Sequence, residues 1–561
     1  MIIFSLLFLA ISTLLGCALS MLVGQLVPAV SALSLIAGFG GAFYLGRSFK
    51  LQLKVPPVSL PVFLLYALIV VGIYFQSMFL IFYKSTNYWI QNPFNLGDMS
   101  FHWSAIRSVA KGLHFWPENP IYGGFRFRYP FGMDFFNSFF ENLGVPITTH
   151  LPVVTLLALL LVMFTLHSAG GPLLVFAVFF SCGCINVLGG LRGMDVSQLQ
   201  APYDFKNIFL TVLLTQRGFL YAMPAGVLIY RAIQKYFAGE WKPQMLEKIA
   251  LGIVWGALGF FHLHTFFFVS MFCGLFILWK RDLKNWLIPV GVAAVLGAPF
   301  VLNALIPEAG TNSLIHWNAR GWNRQEGVDY FTYWMMNLGF WIIAVIAAMV
   351  MFYRQKKWNQ FVPVAAAFGF FILFSHLILA PWDWDNIKLL VWCYLFALMS
   401  MTDFLWYERN RWFRGFVCFA LLPGFTIFVL SLPMVRYHGT TWASERELNK
   451  AAVLMKDRDV NEAVMITQSY DHPVMLLGMK LFMGYPGHVW SHGYNYTLRE
   501  NLLNRVYNAE EAAVNDLPKD QVKWIYSGTL EKRREKLPFP PKNLLKVGEA
   551  LDHELYTFEQ K

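Results

Sequence analysis

One polar stretch of this strongly apolar chain, residues 84–149, carries a carboxylate together with several cations. Asp98 directly follows Gly97, and Arg126 and Arg128 come later in the stretch, after a pair of glycines. A carboxylate can accept the proton of an attacking hydroxyl, and nearby cations can stabilise a phosphate as it leaves. The combination therefore predicts group transfer from a phosphate-linked donor, with Asp98 as the general base.

The segment that follows Asp98 can form a helix from Ser100 to Lys111, and its mixture of aromatic and basic residues suits a helix at the membrane interface. His102, within this segment, is a candidate for contacting the substrate. A structural role for Asp98 stays open, because aspartate is a preferred capping residue at helix N-termini. Capping and catalysis are compatible roles for this side chain.

A second cluster of charges occurs in the sequence WDWDNIK, which contains Asp383, Asp385 and Lys388. Charged residues at the start of a membrane helix are costly and usually functional. Lys388 and one of the aspartates could bind a phosphate or sugar hydroxyls. Alternatively, Asp385 and Asn386 cap the next helix while the tryptophans anchor it in the interface.

Four further residues in polar connections are candidates for binding the substrate: Lys206, Arg217, His264 and Arg320. His264 follows His262 at a spacing of two, which does not put both side chains on one helical face, so a shared metal is disfavoured. A substrate contact and a plain buried histidine are the open alternatives for His264. Arg320 lies among tryptophans, which suits either a sugar phosphate or interfacial anchoring.

A glycine- and aromatic-rich segment near the C-terminus, MGYPGHVWSHGYNY, contains His488 and His492. Such a segment suits binding of a carbohydrate face, and it also suits an ordinary structured connection. The sequence leaves both possibilities open.

The composition decides the class of protein. Of 561 residues, 57% are hydrophobic and 14% are charged, whereas an ordinary soluble domain carries about 25% charged residues. A chain with so few polar residues cannot cover several soluble domains, which excludes a cytosolic enzyme, a disordered scaffold and a secreted disulfide-rich module. The net charge of +11 fits basic cytoplasmic loops of a membrane protein better than nucleic-acid binding.

A spanning helix needs about 20 mostly apolar residues, and about 13 segments qualify as candidates. These are 1–23, 28–46, 60–83, 150–167, 171–190, 216–236, 248–262, 265–280, 285–305, 333–353, 359–380, 387–404 and 412–434. Every second connection is basic, which predicts a cytoplasmic N-terminus, an external 84–149 loop and an external C-terminal region. The segments between 246 and 280 are short, and a single kinked helix there would change the count.

From about residue 436 charged residues become frequent and apolar runs shorten. Amphipathic helices are expected at 445–459 and 496–508, and short strands at 462–467, 522–528, 544–550 and 554–560. We therefore expect a membrane core at 1–435 and an extramembrane α/β domain at 436–561.

The residues Gly97-Asp98, the stretch from Tyr122 to Phe136 and the layout of the whole chain resemble the C-type (GT-C) superfamily of integral-membrane glycosyltransferases. The resemblance implies a polytopic α-helical membrane protein that moves a sugar from a polyprenyl-phosphate donor to a lipid, glycan or protein acceptor. It also implies that Asp98 is the catalytic residue, at the external face of a membrane such as the bacterial inner (plasma) membrane. Asp98 lacks the adjacent acidic residue found in several branches, so a divalent metal cofactor stays an open question.

A single base without a covalent nucleophile predicts inversion at the anomeric carbon. Two other classes of function stay open. A transporter or flippase of a lipid-linked or anionic solute would show inverted repeats and charges in mid-membrane. A non-catalytic envelope-assembly protein would use the C-terminal domain as a binding module. The sequence predicts neither the sugar and acceptor nor the oligomeric state.

Overall fold

The computed structural model describes residues 1–51, 56–183, 192–407, 411–437, 439–533, 540 and 543–559. Within them, six helices are long and apolar enough to cross a membrane: Ile2–Val23, Pro28–Ser48, Leu60–Met78, Ile147–Phe179, Leu283–Leu305 and Asp383–Tyr407. Two bent pairs raise this number to eight if each pair is one span, namely Tyr330–Leu338 with Trp341–Arg354, and Trp412–Ala420 with Leu422–Leu430. The protein is therefore a mostly helical, integral membrane protein.

The number of candidate spans among the described residues is lower than the predicted 13 because several apolar segments form short or broken helices. Residues 150–167 and 171–179 belong to Ile147–Phe179, which is interrupted at Gly170 and Gly171, where Gly171 has φ 66° and ψ −154°. Between 246 and 280 there are two helices, Met245–Phe261 and Leu263–Trp279, that meet at the extended residue His262. Each has 17 residues, fewer than a full span needs.

The remaining helices of the membrane part are Leu96–Ala110, Gly132–Asn142, Val196–Gln200, Phe219–Phe237, Trp358–Phe374 and Ile387–Thr402, the last lying inside the 383–407 span. Helix Met245–Phe261 packs closely along Leu283–Leu305. A Cβ on Gly256 would lie 2.8 Å from the Cβ of Leu296, and one on Gly259 would lie 3.1 Å from Gly297. Small residues at this spacing allow two helix backbones to approach, as is common in membranes.

The helix after Gly97 differs from the prediction in its start and in its environment. It begins at Leu96, so Asp98 lies in its first turn and is not its capping residue. Its side chains are mostly buried: Trp103 Nε1 donates a hydrogen bond to the carbonyl of Leu476 (2.8 Å), and Ser100 Oγ accepts one from Trp442 Nε1 (2.8 Å). The expected interfacial helix is therefore enclosed by the C-terminal domain, a long-range contact that its local composition could not indicate.

The C-terminal region forms the expected helices and strands. A mixed sheet has the order β6-β7-β9-β8, with β6 (Val464–Met465) parallel to β7 (Trp524–Ser527) and the other pairs antiparallel. Strands β8 (Leu544–Ala550) and β9 (His553–Phe558) form a hairpin. The helices of this region are Glu445–Met455, Pro473–Leu476, Pro486–Ser491, Thr497–Tyr507, Glu511–Asp516 and Thr529–Lys532.

Backbone pairing joins the C-terminal region to the first polar stretch. Strands β1 (Phe82–Lys84), β2 (Asn87–Ile90) and β5 (Thr440–Ser444) form one antiparallel sheet. Further along, Gly123 N donates to the carbonyl of Leu481 (2.8 Å), and Gly484 N donates to that of Ile121 (2.7 Å). These bonds hold the helix that begins at Pro486 against the 84–149 stretch.

A two-stranded pair connects two other polar segments. Strand β3 (His316–Trp317) pairs with β4 (Leu377–Ile378), just before the WDWDN turn. Asn386 Nδ2 donates to the carbonyls of Phe374 (2.7 Å) and Leu377 (2.8 Å). Asn386 thus fixes the turn and makes no side-chain cap for the helix that follows, in contrast to the capping alternative.

Candidate active site

A cavity of about 370 Å³ lies where the 84–149 stretch, residues 204–216, the WDWDN turn and the C-terminal domain meet. Five of the sequence-predicted candidates line it: Asp98, His102, Lys206, Asp385 and Lys388. These residues come from three separate parts of the chain, so only the fold brings them to one wall. The cavity is the candidate active site.

Asp98 lies half-buried in the first turn of helix Leu96–Ala110, where the helix dipole favours a negative charge. Gln216 Nε2 donates to its Oδ2 at 3.4 Å. Burial raises the pKa of Asp98 to about 6, and Asp385 adds to this, while His102 and Lys388 act in the opposite direction. A carboxyl with this pKa is a competent general base near neutral pH, because it is ionised there and still binds a proton well.

Two lysines supply positive charge to the cavity. Lys388 is buried and forms an ion pair with Asp385 at 3.1 Å. Lys206 lies over the ring of Phe94 at 5.5 Å, and burial lowers its pKa. Among the described residues no carboxylate forms an ion pair with Lys206, although the negative charge of nearby Asp204 acts against this lowering. Asp204 itself accepts hydrogen bonds from Asn323 and Tyr333. Lys206 can therefore serve an anionic ligand.

A buried network below the cavity holds His102. Its Nδ1 lies 2.7 Å from Oδ2 of Asp134, and its Nε2 lies 3.2 Å from the carbonyl of Thr215. Both ring nitrogens are therefore engaged by protein oxygens, which fixes the orientation of the imidazole. Arg217 completes the network with an ion pair to Asp134 at 3.5 Å and a hydrogen bond to Thr155 Oγ1 at 3.1 Å.

Sequence reasoning missed Asp134 and located Arg217 differently. Arg217, predicted as a substrate contact, is 1% exposed and is not among the residues that line the cavity. Its ion pair with Asp134 offsets its buried charge. Asp134 stands alone among aromatic residues in FGMDFFNSFF. A single carboxylate in an apolar run is costly unless it is paired, and this signal could have identified it.

The C-terminal domain contributes His488, Ser491 and His492 to the same cavity. Both imidazoles pack on the ring of Phe101, with centroid distances of 5.8 and 4.7 Å. Burial lowers the pKa of His488 to about 4 and that of His492 well below its ordinary value. Both rings are therefore neutral near neutral pH.

Aromatic side chains form much of the remaining surface. Tyr129 lies 4.8 Å from the ring of His492, and burial raises its pKa well above the ordinary value, so it stays protonated. Trp382 and Trp384 pack on each other at 5.3 Å. Trp382 is 46% exposed at the cavity. Exposed aromatic faces of this kind suit contact with the apolar face of an organic ligand.

Three predicted arginines lie outside the cavity lining. Arg126 is 3.7 Å from Glu308, and Arg128 donates from Nε to the carbonyl of Ala304 at 3.0 Å. Arg320 is exposed and forms an ion pair with Glu326 at 3.6 Å. Each of these side chains is engaged in a local contact.

Asp383 and His264 also lie outside the lining. Asp383 accepts hydrogen bonds from His316 Nε2 (2.9 Å) and Asn318 Nδ2 (2.6 Å), which joins residues 316–318 to the WDWDN turn. His264 Nε2 donates to the carbonyl of Leu379 at 3.2 Å. Both side chains support the wall that carries Asp385 and Lys388.

No group of three or more His, Cys, Asp or Glu side chains among the described residues could hold a metal ion. The cavity lining contains three carboxylates, Asp98, Asp204 and Asp385. Asp385 is paired with Lys388, and Asp204 accepts hydrogen bonds from Asn323 and Tyr333. The described residues do not form a metal site by themselves, so the chemistry derived below uses only the side chains.

No protein-family model matches the chain, and no curated protein sequence matches it significantly. Among solved structures, the chain is similar to the oligosaccharyltransferase of Archaeoglobus fulgidus in its apo form, with 11% sequence identity and a TM-score of 0.35. The similarity covers 82% of this chain and 69% of that chain. A likeness at this level assigns neither the fold nor the activity.

Proposed function

We propose that the protein is an inverting membrane glycosyltransferase of the GT-C type, which moves a sugar from a polyprenyl phosphate to an acceptor hydroxyl. The observation that carries the proposal is the position of Asp98, with its pKa of about 6, in one cavity with Lys206 and Lys388. A base tuned close to neutrality beside cations is what displacement of a phosphate by a hydroxyl requires.

In the proposed reaction the acceptor oxygen attacks the anomeric carbon from the side opposite the phosphate. The new C–O bond forms as the bond between the anomeric carbon and the phosphate oxygen breaks, and the bonding electrons stay on that oxygen. Asp98 takes the acceptor's proton. Lys206 and Lys388 stabilise the negative charge that develops on the polyprenyl phosphate, and His102 contacts the substrate in the same cavity. The configuration at the anomeric carbon inverts.

Asp134 and Arg217 act through His102 in this proposal. A carboxylate bonded to one ring nitrogen fixes the orientation of an imidazole. Arg217 in turn neutralises the Asp134 carboxylate below the cavity. Both are positioning residues, since neither lines the cavity.

The long apolar helices support a donor dissolved in the bilayer, because a polyprenyl chain partitions there. We assign the membrane core to 1–435 and the outer domain to 436–561. We further propose an external site, a cytoplasmic N-terminus and a location in a bacterial inner membrane, with a lipid, glycan or protein as acceptor. The alternating basic connections support this orientation.

Radiolabelled polyprenyl-phosphate sugars, incubated with the purified full-length protein and membrane acceptors, test the activity directly. We expect the wild type to transfer the label and Asp98→Asn to lose at least a hundredfold in rate. Asp520→Asn, an exposed aspartate of the C-terminal domain, is the matched control and should transfer normally. Transfer retained by a well-inserted Asp98→Asn protein would contradict the assigned base, and no transfer by the wild type from any donor would contradict the activity.

A further inference from the structure

The helix Pro486–Ser491 of the C-terminal domain has no role in the chemistry proposed above, although it reaches the cavity. Its His488 and the adjacent His492 line the same space as Asp98. A Cβ placed on Gly97 would lie 3.6 Å from Nε2 of His488. His488 therefore lies against the backbone beside the proposed base.

The two rings differ from His102 in their hydrogen bonding. The Nδ1 atoms of His488 and His492 are buried and have no partner among the described residues. A buried N–H without an acceptor is more costly than an unprotonated nitrogen in the same place. The proton of each neutral ring therefore belongs on Nε2, which is the nitrogen left to reach the cavity.

The histidines differ in chemical character from the lysines that line the same cavity. Lys206 and Lys388 offer positive charge, whereas His488 and His492 offer uncharged N–H donors beside the aromatic rings of Phe101 and Tyr129. Neutral donors next to aromatic faces suit a hydroxyl-rich, uncharged ring. The phosphate of a donor is bonded directly to its sugar, so a phosphate on the cations brings the sugar to these donors.

We propose that His488 and His492 bind the oxygens of the donor's sugar through Nε2–H, so that the C-terminal domain selects the sugar while the helical core binds the phosphate. The ligand class is an uncharged hexose or pentose linked to polyprenyl phosphate. This proposal rests on the proposed function.

The test compares two ligands on the full-length protein in lipid nanodiscs. One probe is a polyprenyl phosphate without a sugar, and the other is the same lipid carrying glucose, galactose, mannose or arabinose. We expect the wild type to bind one of the glycosylated lipids more tightly than the bare lipid. His488→Phe and His492→Phe, which keep an aromatic ring on Phe101, should each lower the affinity for that lipid about tenfold and leave binding of the bare lipid unchanged.

Three further variants separate recognition from folding. His488→Gln and His492→Gln retain an uncharged N–H at similar reach, and they should restore most of the lost affinity. His114→Phe changes an exposed histidine outside the cavity and should bind both lipids as the wild type does. If a phenylalanine variant fails to fold, the comparison at that position uses the glutamine variant and a serine variant instead.

The outcomes are distinct. Equal weakening of both lipids by the phenylalanine variants would assign these histidines to the phosphate and overturn the proposal. Unchanged binding of both lipids would overturn it as well, and so would a wild type that binds the bare lipid and gains nothing from any sugar. A wild type that binds neither bare nor glycosylated lipid would instead refute the proposed function.

Discussion

Two groups of ionisable side chains in this molecule are built in opposite ways. In the C-terminal domain, fully buried Glu531 accepts hydrogen bonds from His472 Nε2 (2.9 Å), Thr467 N (2.8 Å) and Gly528 N (3.0 Å). Although burial opposes it, these contacts lower the pKa of Glu531. The group has partners on every side and no cavity beside it among those described, so it serves to join elements.

The second group, Lys206, His488 and His492 in the cavity, has fewer partners within the protein. Lys206 has no ion-pair partner among the described residues. His488 and His492 line the cavity with Nδ1 buried and unpartnered, which in our proposal leaves Nε2 for a ligand. Leaving buried polar groups unsatisfied costs stability, and native proteins rarely retain such groups without a reason. We infer from this difference that the first group stabilises the fold, and the difference supports our proposal that the second group binds a ligand.

The largest expected effect is on stability, at the Glu531 group of the C-terminal domain. Glu531→Gln replaces one acceptor oxygen with an amide N–H and leaves His472 without its carboxylate, so we expect the free energy of unfolding of the C-terminal domain to fall by about 3–5 kcal/mol. Thermal unfolding and limited proteolysis measure this. Glu549→Gln, which removes an exposed ion pair with Lys546, is the control and should cost under about 1 kcal/mol. An equally small effect at Glu531 would remove the contrast between the two groups.

A substitution in the cavity group should lower the rate of transfer and leave the stability intact. Lys206→Met removes a cation that the fold does not pair, so we expect transfer to fall about a hundredfold with the melting temperature unchanged or raised. Lys456→Met, at an exposed position, should change neither quantity. Loss of stability in Lys206→Met without loss of transfer would make Lys206 a structural residue.

The pH dependence of transfer sharpens the assignment of Asp98. Its pKa is raised to about 6 chiefly by burial, and only the ionised carboxylate can accept a proton. The rate should therefore fall about tenfold per pH unit as the pH drops below about 6, and it should be level just above it. The measurement is the initial rate from pH 4.5 to 8 with saturating donor. A rate that stays level to pH 4.5 would contradict Asp98 as the base.

The smallest effect concerns the stability cost of the open site. The folded state binds a proton on Asp98 more tightly than the unfolded chain does, since folding raises the pKa from 3.8 to about 6. The contribution to stability is thus present at low pH and is lost as the pH rises through about 6. We expect Asp98→Asn to be more stable than the wild type by about 1–2 kcal/mol at pH 7.5, after allowance for the partial exposure of Asp98. In thermal unfolding, the difference in stability between Asp98→Asn and the wild type should be smaller at pH 4.5. An Asp98→Asn protein that is less stable than the wild type at pH 7.5 would contradict the prediction.

Residue type and scarcity of charge identified much of the site from sequence. Asp98, Lys388 and Lys206 were found because charged residues in an apolar chain must have a reason to be there. His488 and His492 were recognised only as a possible carbohydrate contact, because their position beside Asp98 depends on backbone pairing between Gly123 and Leu481. That pairing connects residues far apart in sequence, and no local pattern encodes it.

The sequence by itself determined the membrane class, the positions of the apolar helices and the α/β alternation of the C-terminal region, because hydropathy and periodicity are local properties. The tertiary structure alone decided which charges share a cavity and which are paired off. Arg126 and Asp383 have the same candidate chemistry as Lys206 and Asp385, and they differ only in the neighbours that the fold gives them. Whether a charge is satisfied by the protein or left for a ligand depends on distances of a few ångströms, which only the packed chain sets.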